Sequence, residues 1–287
     1  MGGITNSTST GAVTASHNMG LHEEQLGGRT QQRFFSASEE ENFTYPWAYE
    51  VDTNKSAEFD AADMEITDIN LKIRDLMKAG HGTITVQNPR AKHSLGVGIL
   101  NKLNLNFEGS LGYFGGGCTD GANIHISGRV GWSCAENMMS GTIVIEKNAG
   151  SLFGAAIRGG DLVCKGQAGA RVGIDQKGGT IIVGGSVGAF TGFMMQRGRM
   201  IILGDASDNL GDSMYDGTIY VAGKIASLGV DCVETEMTDL DRRYLKGKLD
   251  LYGMAAPNGI ENMIKLTSGK QLWNYDNLEA SEKKLVL

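Results

Sequence analysis

The sequence contains little of what most globular chains use to interrupt or cross-link their folds. In 287 residues it has three prolines and four cysteines, and aromatic residues make up 7%. No apolar run approaches the ~20 residues that a membrane-spanning helix requires, and the first residues lack the charged and apolar segments of a secretory signal. These absences argue against a helical membrane protein, and we expect a soluble, cytoplasmic protein.

The cysteines are too widely spaced to indicate a metal centre. Cys118, Cys134, Cys164 and Cys232 form neither a CxxC pair nor the ligand spacing of zinc or iron–sulfur sites. We interpret them as reduced thiols that pack like small apolar groups. Cys232 follows Asp231, but a nucleophilic cysteine requires a nearby base, and the sequence shows none placed for it.

Negative charge is concentrated in the first 61 residues. They carry nine acidic and three basic side chains, which is −6 of the formal net charge of −7. The remaining body is nearly neutral and has no electrostatic attraction for nucleic acid or anionic lipid. We interpret residues 1–61, rich in Ser, Thr, Asn and Glu, as a disordered or partner-wrapping acidic tail.

Glycine is abundant instead, with 42 residues, and it recurs with a period of 19. One column of the repeat contains Gly141, Gly160, Gly179, Gly198 and Gly217. A second contains Gly109, Gly128, Gly166, Gly185, Gly204 and Gly223, interrupted by Lys147. A further column contains Gly116, Gly154, Gly173, Gly192 and Gly211, with Ala135 in one position. Each glycine set leads into another apolar segment rather than a helix, and none ends in G-K-[ST], so we reject a phosphate-binding loop.

Apolar residues follow the same period in two columns that lie two residues apart. The columns contain Leu105, Ile124, Ile143, Leu162, Ile181, Met200 and Ile219, and Phe107, Ile126, Ile145, Cys164, Val183, Ile202 and Val221. Side chains two residues apart share one face of a strand, and stacked repeats bury such columns as continuous ladders. The sequence therefore predicts an all-β fold, a single-stranded parallel β-helix of about seven 19-residue coils over residues 82–233. We expect it to be right-handed from the crossover rule for parallel strands.

Both ends of an open solenoid need covering. Residues 62–81 place Ile66, Ile69, Ile73, Leu76 and Met77 on one helical face before Gly80, which predicts an N-terminal capping helix. In the segment 234–287, Thr238 is a candidate helix N-cap, with Leu240, Tyr244 and Leu251 as packing residues. Beyond residue 255 the apolar residues Met263, Ile264, Leu266, Leu272, Trp273 and Tyr275 have no clear period, which would suit an extended arm on another subunit.

No constellation of catalytic residues stands out. His93, beside Arg90 and Lys92, is the best acid–base candidate, although a structural role in a turn is the interpretation we favour. Two polar corners could line a passage or meet a partner, or be merely solvated. They contain Glu136 and Asn137, and Asp212, Ser213 and Tyr215. We therefore predict no catalytic, cofactor-binding or metal-binding residue on this chain.

An outward-facing column is unexpectedly apolar. His125, Val144, Val163, Ile182, Ile201 and Tyr220 lie between the two inward columns and should point away from the core. Phe190, Phe193, Met194 and Met195, and the pair Met138 and Met139, add to the apolar surface. Such a stripe needs covering, by a partner or by the protein's own tail, and we interpret it as support for an assembly subunit.

The repeat G-x-x-G-x-x-x-G resembles the glycine-repeat domain at the C-terminal end of the glutamate synthase large subunit. It also resembles, more distantly, the β-helical subunit of formylmethanofuran dehydrogenase. The segments NPRAKHSLGVGI (88–99), AENMMSG (135–141) and LGDSMYDGTIYVAGKIASLGVDCVE (210–234) are similar to the stand-alone form of the domain found in N-methylglutamate synthase. The resemblance covers roughly residues 62–235, and Lys147 departs from the repeat.

The resemblance implies a non-catalytic scaffold and channel subunit in a hetero-oligomeric complex. A glutamine amidotransferase subunit would release ammonia, and a glutamate-synthase-like subunit would carry FMN and an iron–sulfur cluster, with no cofactor on this chain. Two alternatives remain open, a β-helical subunit of a formylmethanofuran-dehydrogenase-like complex and a self-contained β-helix hydrolase or lyase. The latter folds carry stacked carboxylates or arginines on one sheet, and no column here stacks acidic or basic side chains.

Overall fold

The computed structural model describes residues 48–271, which form a β-solenoid of about seven turns. Nine strands stack in parallel and in chain order, and two antiparallel strands complete a sheet of eleven. The parallel strands are β1 Asp52–Asp60, β2 His81–Gln87, β3 Asn104–Glu108, β4 Asn123–Ile126, β5 Thr142–Ile145, β6 Asp161–Cys164, β7 Lys177–Val183, β8 Arg197–Ile202 and β9 Thr218–Val221. The predicted β-helical fold is confirmed, while its handedness stays a prediction.

The strand register places the two apolar columns in the core, as predicted. Leu105 pairs with Ile124, and the same column continues through Ile143 to Ile219 at the last parallel strand. The members of both columns are buried. A second, shorter ladder runs through single parallel bridges between Val130, Ala149, Ala168, Val187, Ala206 and Ile225. Continuous burial of these ladders stabilises each coil against its neighbours.

The turn that precedes the next strand in each coil adopts the left-handed conformation at alternate residues. In one coil these are Leu152 (φ 62°), Gly154 (φ 69°) and Ala156 (φ 54°). A Cβ on Gly154 would lie 2.6 Å from the Leu162 side chain, so both φ and space favour glycine there. Ala135, which replaces glycine in this column, keeps the conformation with φ 59°. The repeat thus fixes a backbone shape more strictly than it fixes a residue type.

The N-terminal end of the solenoid differs in part from the expected acidic tail. Residues 52–60 of that segment form β1, which pairs in parallel with β2, so for these residues the tail prediction is wrong. Helix α1 (Ile66–Lys78) connects the two strands and buries Ile69, Ile73 and Met77 in the solenoid core. Charged side chains along β1 discourage pairing with other chains at this sheet edge. Residues 1–47 lie outside the described part of the chain.

The C-terminal segment folds back onto the solenoid. It comprises β10 (Cys232–Thr235), helix α2 (Asp239–Leu251), a short 3-10 helix (Ile260–Asn262) and β11 (Ile264–Ser268). β11 pairs antiparallel with β9, where Leu266 lies opposite Ile219 and extends the buried column. The prediction of an arm on another subunit is therefore wrong for residues 264–268, because their own sheet edge binds them. Leu272, Trp273 and Tyr275 lie outside the described residues.

Candidate functional site: the outer sheet face and an aromatic ladder

The outer face of the sheet divides into a polar and an apolar half. Thr85, Asn106 and His125 occupy successive strands of one outward column, and Val144 is partly buried at the transition. From β6 to β9 the same column contains Val163, Ile182, Ile201 and Tyr220, all fully buried. The expected apolar stripe is therefore real, but in the structure it is not exposed.

Helix α2 covers this apolar half. Tyr244, Leu245 and Leu249 pack with Met263 on the four outward residues and form a second hydrophobic core. Burying each large apolar side chain contributes about 1.5–3 kcal/mol. Of the two covers expected from the sequence, a partner or the protein's own tail, the structure has the tail. Within residues 48–271 the stripe consequently provides no partner surface.

Local sequence accounts for the start of α2. Thr238 is the N-cap, its hydroxyl accepts a hydrogen bond from the Asp241 amide at 3.2 Å, and the Asp241 carboxylate accepts one from the Thr238 amide. The predicted cap and the packing of Tyr244 agree with this arrangement. Leu251 does not pack as predicted and is 66% exposed, because it lies about 200° around the helix from the buried Leu249.

Polar contacts fix α2 over the strand starts. The Lys248 ammonium donates to both carboxylate oxygens of Asp161 at 2.7 Å, and the Tyr252 hydroxyl donates to the same group at 2.6 Å. Tyr244 forms a hydrogen bond with Thr180 at 2.7 Å, and the Arg199 guanidinium lies 4.7 Å from its ring centroid. From Tyr244 to Tyr252 these contacts step from β8 back to β6, so α2 runs antiparallel to the order of the coils.

A second buried carboxylate anchors the first turn of α2. Asp241 is 1% exposed and accepts hydrogen bonds from Lys265 at 2.7 Å and from Tyr220 at 2.6 Å. Burial alone raises the pKa of Asp241, but the hydrogen bonds from Lys265, Thr238 and Tyr220 outweigh it and leave this pKa below its usual value. Burial and the Asp241 carboxylate raise the pKa of Tyr220, which remains a neutral donor.

The polar half of the face forms an open groove next to the end of α2. It has a volume of about 320 Å³ and is lined by Asn104, Asn106, Asn123, Ile124, His125, Thr142, Val144, Leu251 and Tyr252. Amide side chains form a ladder, in which Asn123 donates to Asn104 at 3.3 Å and Asn104 donates to Thr83 at 3.3 Å. The amide, hydroxyl and imidazole groups of the lining can donate and accept hydrogen bonds.

His125 connects this groove to an exposed ion pair. Its Nε2 lies 3.0 Å from a carboxylate oxygen of Glu146, which also accepts from Lys165 at 2.9 Å. Burial raises the pKa of Glu146, but the hydrogen bonds from Lys165 and His125 outweigh it and hold the pKa below its usual value. The three groups are each about one third to one half exposed, which is typical of a solvated ion-pair network.

The residues singled out in the sequence are not brought together. His93 lies on the first coil, where its Nδ1 accepts a hydrogen bond from the Tyr113 amide at 2.8 Å. Glu136 and Asn137 belong to the left-handed segment of another coil, in which Asn137 has φ 57°. The Asp212 carboxylate accepts from Ser213 at 2.7 Å and from the Val230 amide at 3.1 Å. The Tyr113 and Val230 contacts each join adjacent coils, and the Ser213 contact is local.

The cysteines do not assemble into a site. All four are free, and within residues 48–271 no three His, Cys, Asp or Glu side chains are grouped so as to hold a metal ion. Burial raises the pKa of Cys164 to about 11, and burial with the charges of Asp231 and Asp212 raises that of Cys232 to about 12. These described residues do not fit an iron–sulfur cluster, nor does Cys232 fit a thiolate nucleophile at neutral pH.

An aromatic ladder at one corner of the first coils was not found from the sequence. The His93 and Tyr113 rings stack with centroids 4.5 Å apart, and Tyr113 and Trp132 stack at 5.3 Å. Each ring lies where a glycine of the next coil leaves room, since a Cβ on Gly150 would lie 2.7 Å from Trp132. Alignment of His93, Tyr113 and Trp132 at 20- and 19-residue spacing was the available signal.

The fold and its glycine columns define a class of protein, the parallel β-solenoids built on a glycine repeat. Residues 55–248 match the family model described as the GXGXG motif, and the chain belongs to this family. Protein GlxC of Rhizobium meliloti (strain 1021) is similar, with 37% identity over 87 residues. That match spans 30% of this chain and 38% of the length of GlxC. Among residues 48–271, the helices are too short or too polar to cross a membrane.

Proposed function

We propose that this chain is a non-catalytic scaffold subunit of a glutamate-synthase-like complex. It joins a glutamine amidotransferase subunit, which releases ammonia, to a synthase subunit that carries FMN and an iron–sulfur cluster. The observation that carries the proposal is the GXGXG match over residues 55–248, which includes nearly all of the described solenoid. The resemblance of residues 88–99, 135–141 and 210–234 to the stand-alone form of the domain supports a separate subunit.

The geometry is compatible with a scaffold. A parallel solenoid is stiff along its stack because every coil hydrogen-bonds to both neighbours, and α2 adds a second core on one side. The candidate polar residues lie on three separate coils, which contain His93, Glu136 with Asn137, and Asp212 with Ser213. Bordering a passage for ammonia, as an N-methylglutamate synthase would require, is the finer part of this proposal.

Purification of the native complex tests the proposal. The full-length chain would be tagged in its host, isolated at low salt, and its partners identified by mass spectrometry. We expect a glutamine amidotransferase and a flavoprotein, with FMN and iron in the complex and glutamine-dependent synthesis of glutamate or N-methylglutamate. A chain that elutes alone, or hydrolase or lyase activity of the isolated chain, would contradict it. Tungsten or molybdenum in the complex would instead indicate the formylmethanofuran-dehydrogenase type.

A further inference from the structure

The aromatic ladder formed by His93, Tyr113 and Trp132 is exposed to an extent that core packing does not explain. Tyr113 is 49% and Trp132 is 56% exposed, although both are large apolar side chains. Stacking of aromatic pairs contributes about 0.5–1.5 kcal/mol beyond area burial. This contribution explains why the rings are aligned, but it does not explain why they are exposed. Half of the area of each ring remains available to another molecule.

The ladder differs from the other apolar surface of the described chain. The stripe on β6–β9 is covered by α2, and the remaining exposed large apolar side chains within residues 48–271 are Tyr49, Leu71, Met139, Leu228, Val230 and Leu251. Tyr113 and Trp132 are the two members of the exposed set whose rings stack on each other. Trp and Tyr held rigidly side by side are the residues most often found at the energetic centre of protein interfaces.

Positive charge flanks the ladder. Arg129 precedes Trp132 by three residues on the same coil, and its carbonyl accepts from the Leu111 amide, two residues before Tyr113. Lys147 follows on the next coil, where its amide donates to the Gly128 carbonyl. Both side chains are exposed, and neither forms an ion pair within residues 48–271. The carboxylates nearest in the repeat are Glu108 and Glu146, and Glu146 is already paired with His125 and Lys165.

We propose that the ladder, with Arg129 and Lys147 beside it, docks a partner subunit that presents an apolar side chain flanked by carboxylates. This inference rests on the proposed function, since it assigns the surface through which the scaffold holds one of its partners. The apolar group packs against Tyr113 and Trp132, and the carboxylates pair with Arg129 and Lys147. Rim charges of this kind mainly set the association rate and its dependence on salt.

The experiment compares variants of the full chain in the purification described above. Trp132→Ala and Arg129→Glu are matched by Leu251→Ala, an exposed apolar residue on another face, and by Arg158→Glu, an exposed arginine outside the ladder. We expect Trp132→Ala to lower recovery of one partner by about tenfold or more. Arg129→Glu should lower it less, and more strongly at low salt than at high salt.

Melting temperatures of the isolated variants identify loss of folding, and Arg129→Glu remains informative if Trp132→Ala is unstable. Unchanged recovery of every partner by both ladder variants would overturn the docking surface while leaving the scaffold function intact. A wild-type chain that brings down no partner would contradict the scaffold function itself. If the ladder variants change only the mass of the isolated chain in light scattering, the occupant is a second copy and the proposal is wrong.

Discussion

The coils before and after β5 share one inward architecture and differ on their outer face. On β2–β4 the outward residues are polar, as Thr85, Asn106 and His125 show. On β6–β9 they are Val163, Ile182, Ile201 and Tyr220, buried under α2. The same repeat therefore builds a solvated surface in one half and a second core in the other, according to what the rest of the chain places on it.

The comparison shows that different contacts bury the inward and the outward columns. The inward column is apolar in every coil because stacking always buries it. The outward column reports whether another element covers that coil, because strand alternation would otherwise leave it in solvent. In this chain the change from polar to apolar marks where α2 ends, at Val144 and Leu251. Changes in each half should accordingly have unequal effects.

The largest difference is expected at the buried ion pair of the covered half. Lys248→Ala removes the ammonium that pairs with Asp161, leaving a buried carboxylate with only the Tyr252 hydroxyl as its side-chain donor. The free energy of unfolding should fall by about 3–5 kcal/mol, as measured by urea denaturation. Lys246→Ala on the same helix breaks an exposed pair with Asp250 and should cost at most about 0.5 kcal/mol. Equal effects of the two variants would show that α2 is not held by this pair.

Outward residues of the two halves provide the next test. Ile182→Ala leaves a cavity under α2 and should lower the free energy of unfolding by about 2–5 kcal/mol. Asn106→Ala, in the same column on β3, removes a weak hydrogen bond of 3.5 Å to Thr85 and should cost less than about 1 kcal/mol. Thermal denaturation of both variants measures the contrast. An unchanged melting temperature of Ile182→Ala would mean that the helix does not pack on β7.

Acid should weaken the covered half at the buried carboxylate of Asp241. The folded-state pKa of Asp241 is lowered, so its ionised form contributes stability above the usual value of about 3.9, and this contribution is lost as pH falls through the folded pKa. We expect the stability difference between wild type and Asp241→Asn to shrink between pH 6 and pH 3. Urea titrations at both values, followed by near-ultraviolet circular dichroism of Tyr220 and Tyr244, provide the measurement. A constant difference would contradict the assignment.

The smallest effect is expected in the groove. Glu146→Gln breaks contacts with His125 and Lys165 that are largely solvated, and the free energy of unfolding should change by about 0–1 kcal/mol. Urea denaturation of this variant beside Lys248→Ala measures the contrast. A loss of stability like that of Lys248→Ala would show that the open half is as tightly organised as the covered one.

Much of the fold was predictable because the same glycine and apolar positions recur in successive coils. Register, inward columns and the Thr238 cap follow from local spacing and confirm the sequence interpretation. The docking of α2 on the outward stripe depends on contacts such as Lys248 with Asp161, 87 residues apart, which no periodicity reveals. The pairing of β11 with β9 is likewise long-range, and a five-residue strand carries little pattern of its own.

The candidate surface was partly hidden for a different reason. His93 was recognised as a possible acid–base group, whereas its role as one ring of a stack required Tyr113 and Trp132 to be aligned with it. The irregular first coil separates His93 from Tyr113 by 20 residues, and the strict 19-residue period therefore misaligns them. Left-handed conformations at Leu152 and Ala156 were also unpredictable, since these residue types disfavour positive φ.

The length of α2 sets a limit on how this array of coils could grow. Its 13 residues span about 20 Å, and four coils at about 4.8 Å occupy nearly the same distance. The length of the helix thus matches the height of the four apolar coils from β6 to β9. Duplication of a coil within that stretch would leave one apolar row uncovered, whereas duplication between β2 and β4 would only lengthen the polar groove. Natural variation in coil number should therefore accumulate on the N-terminal side.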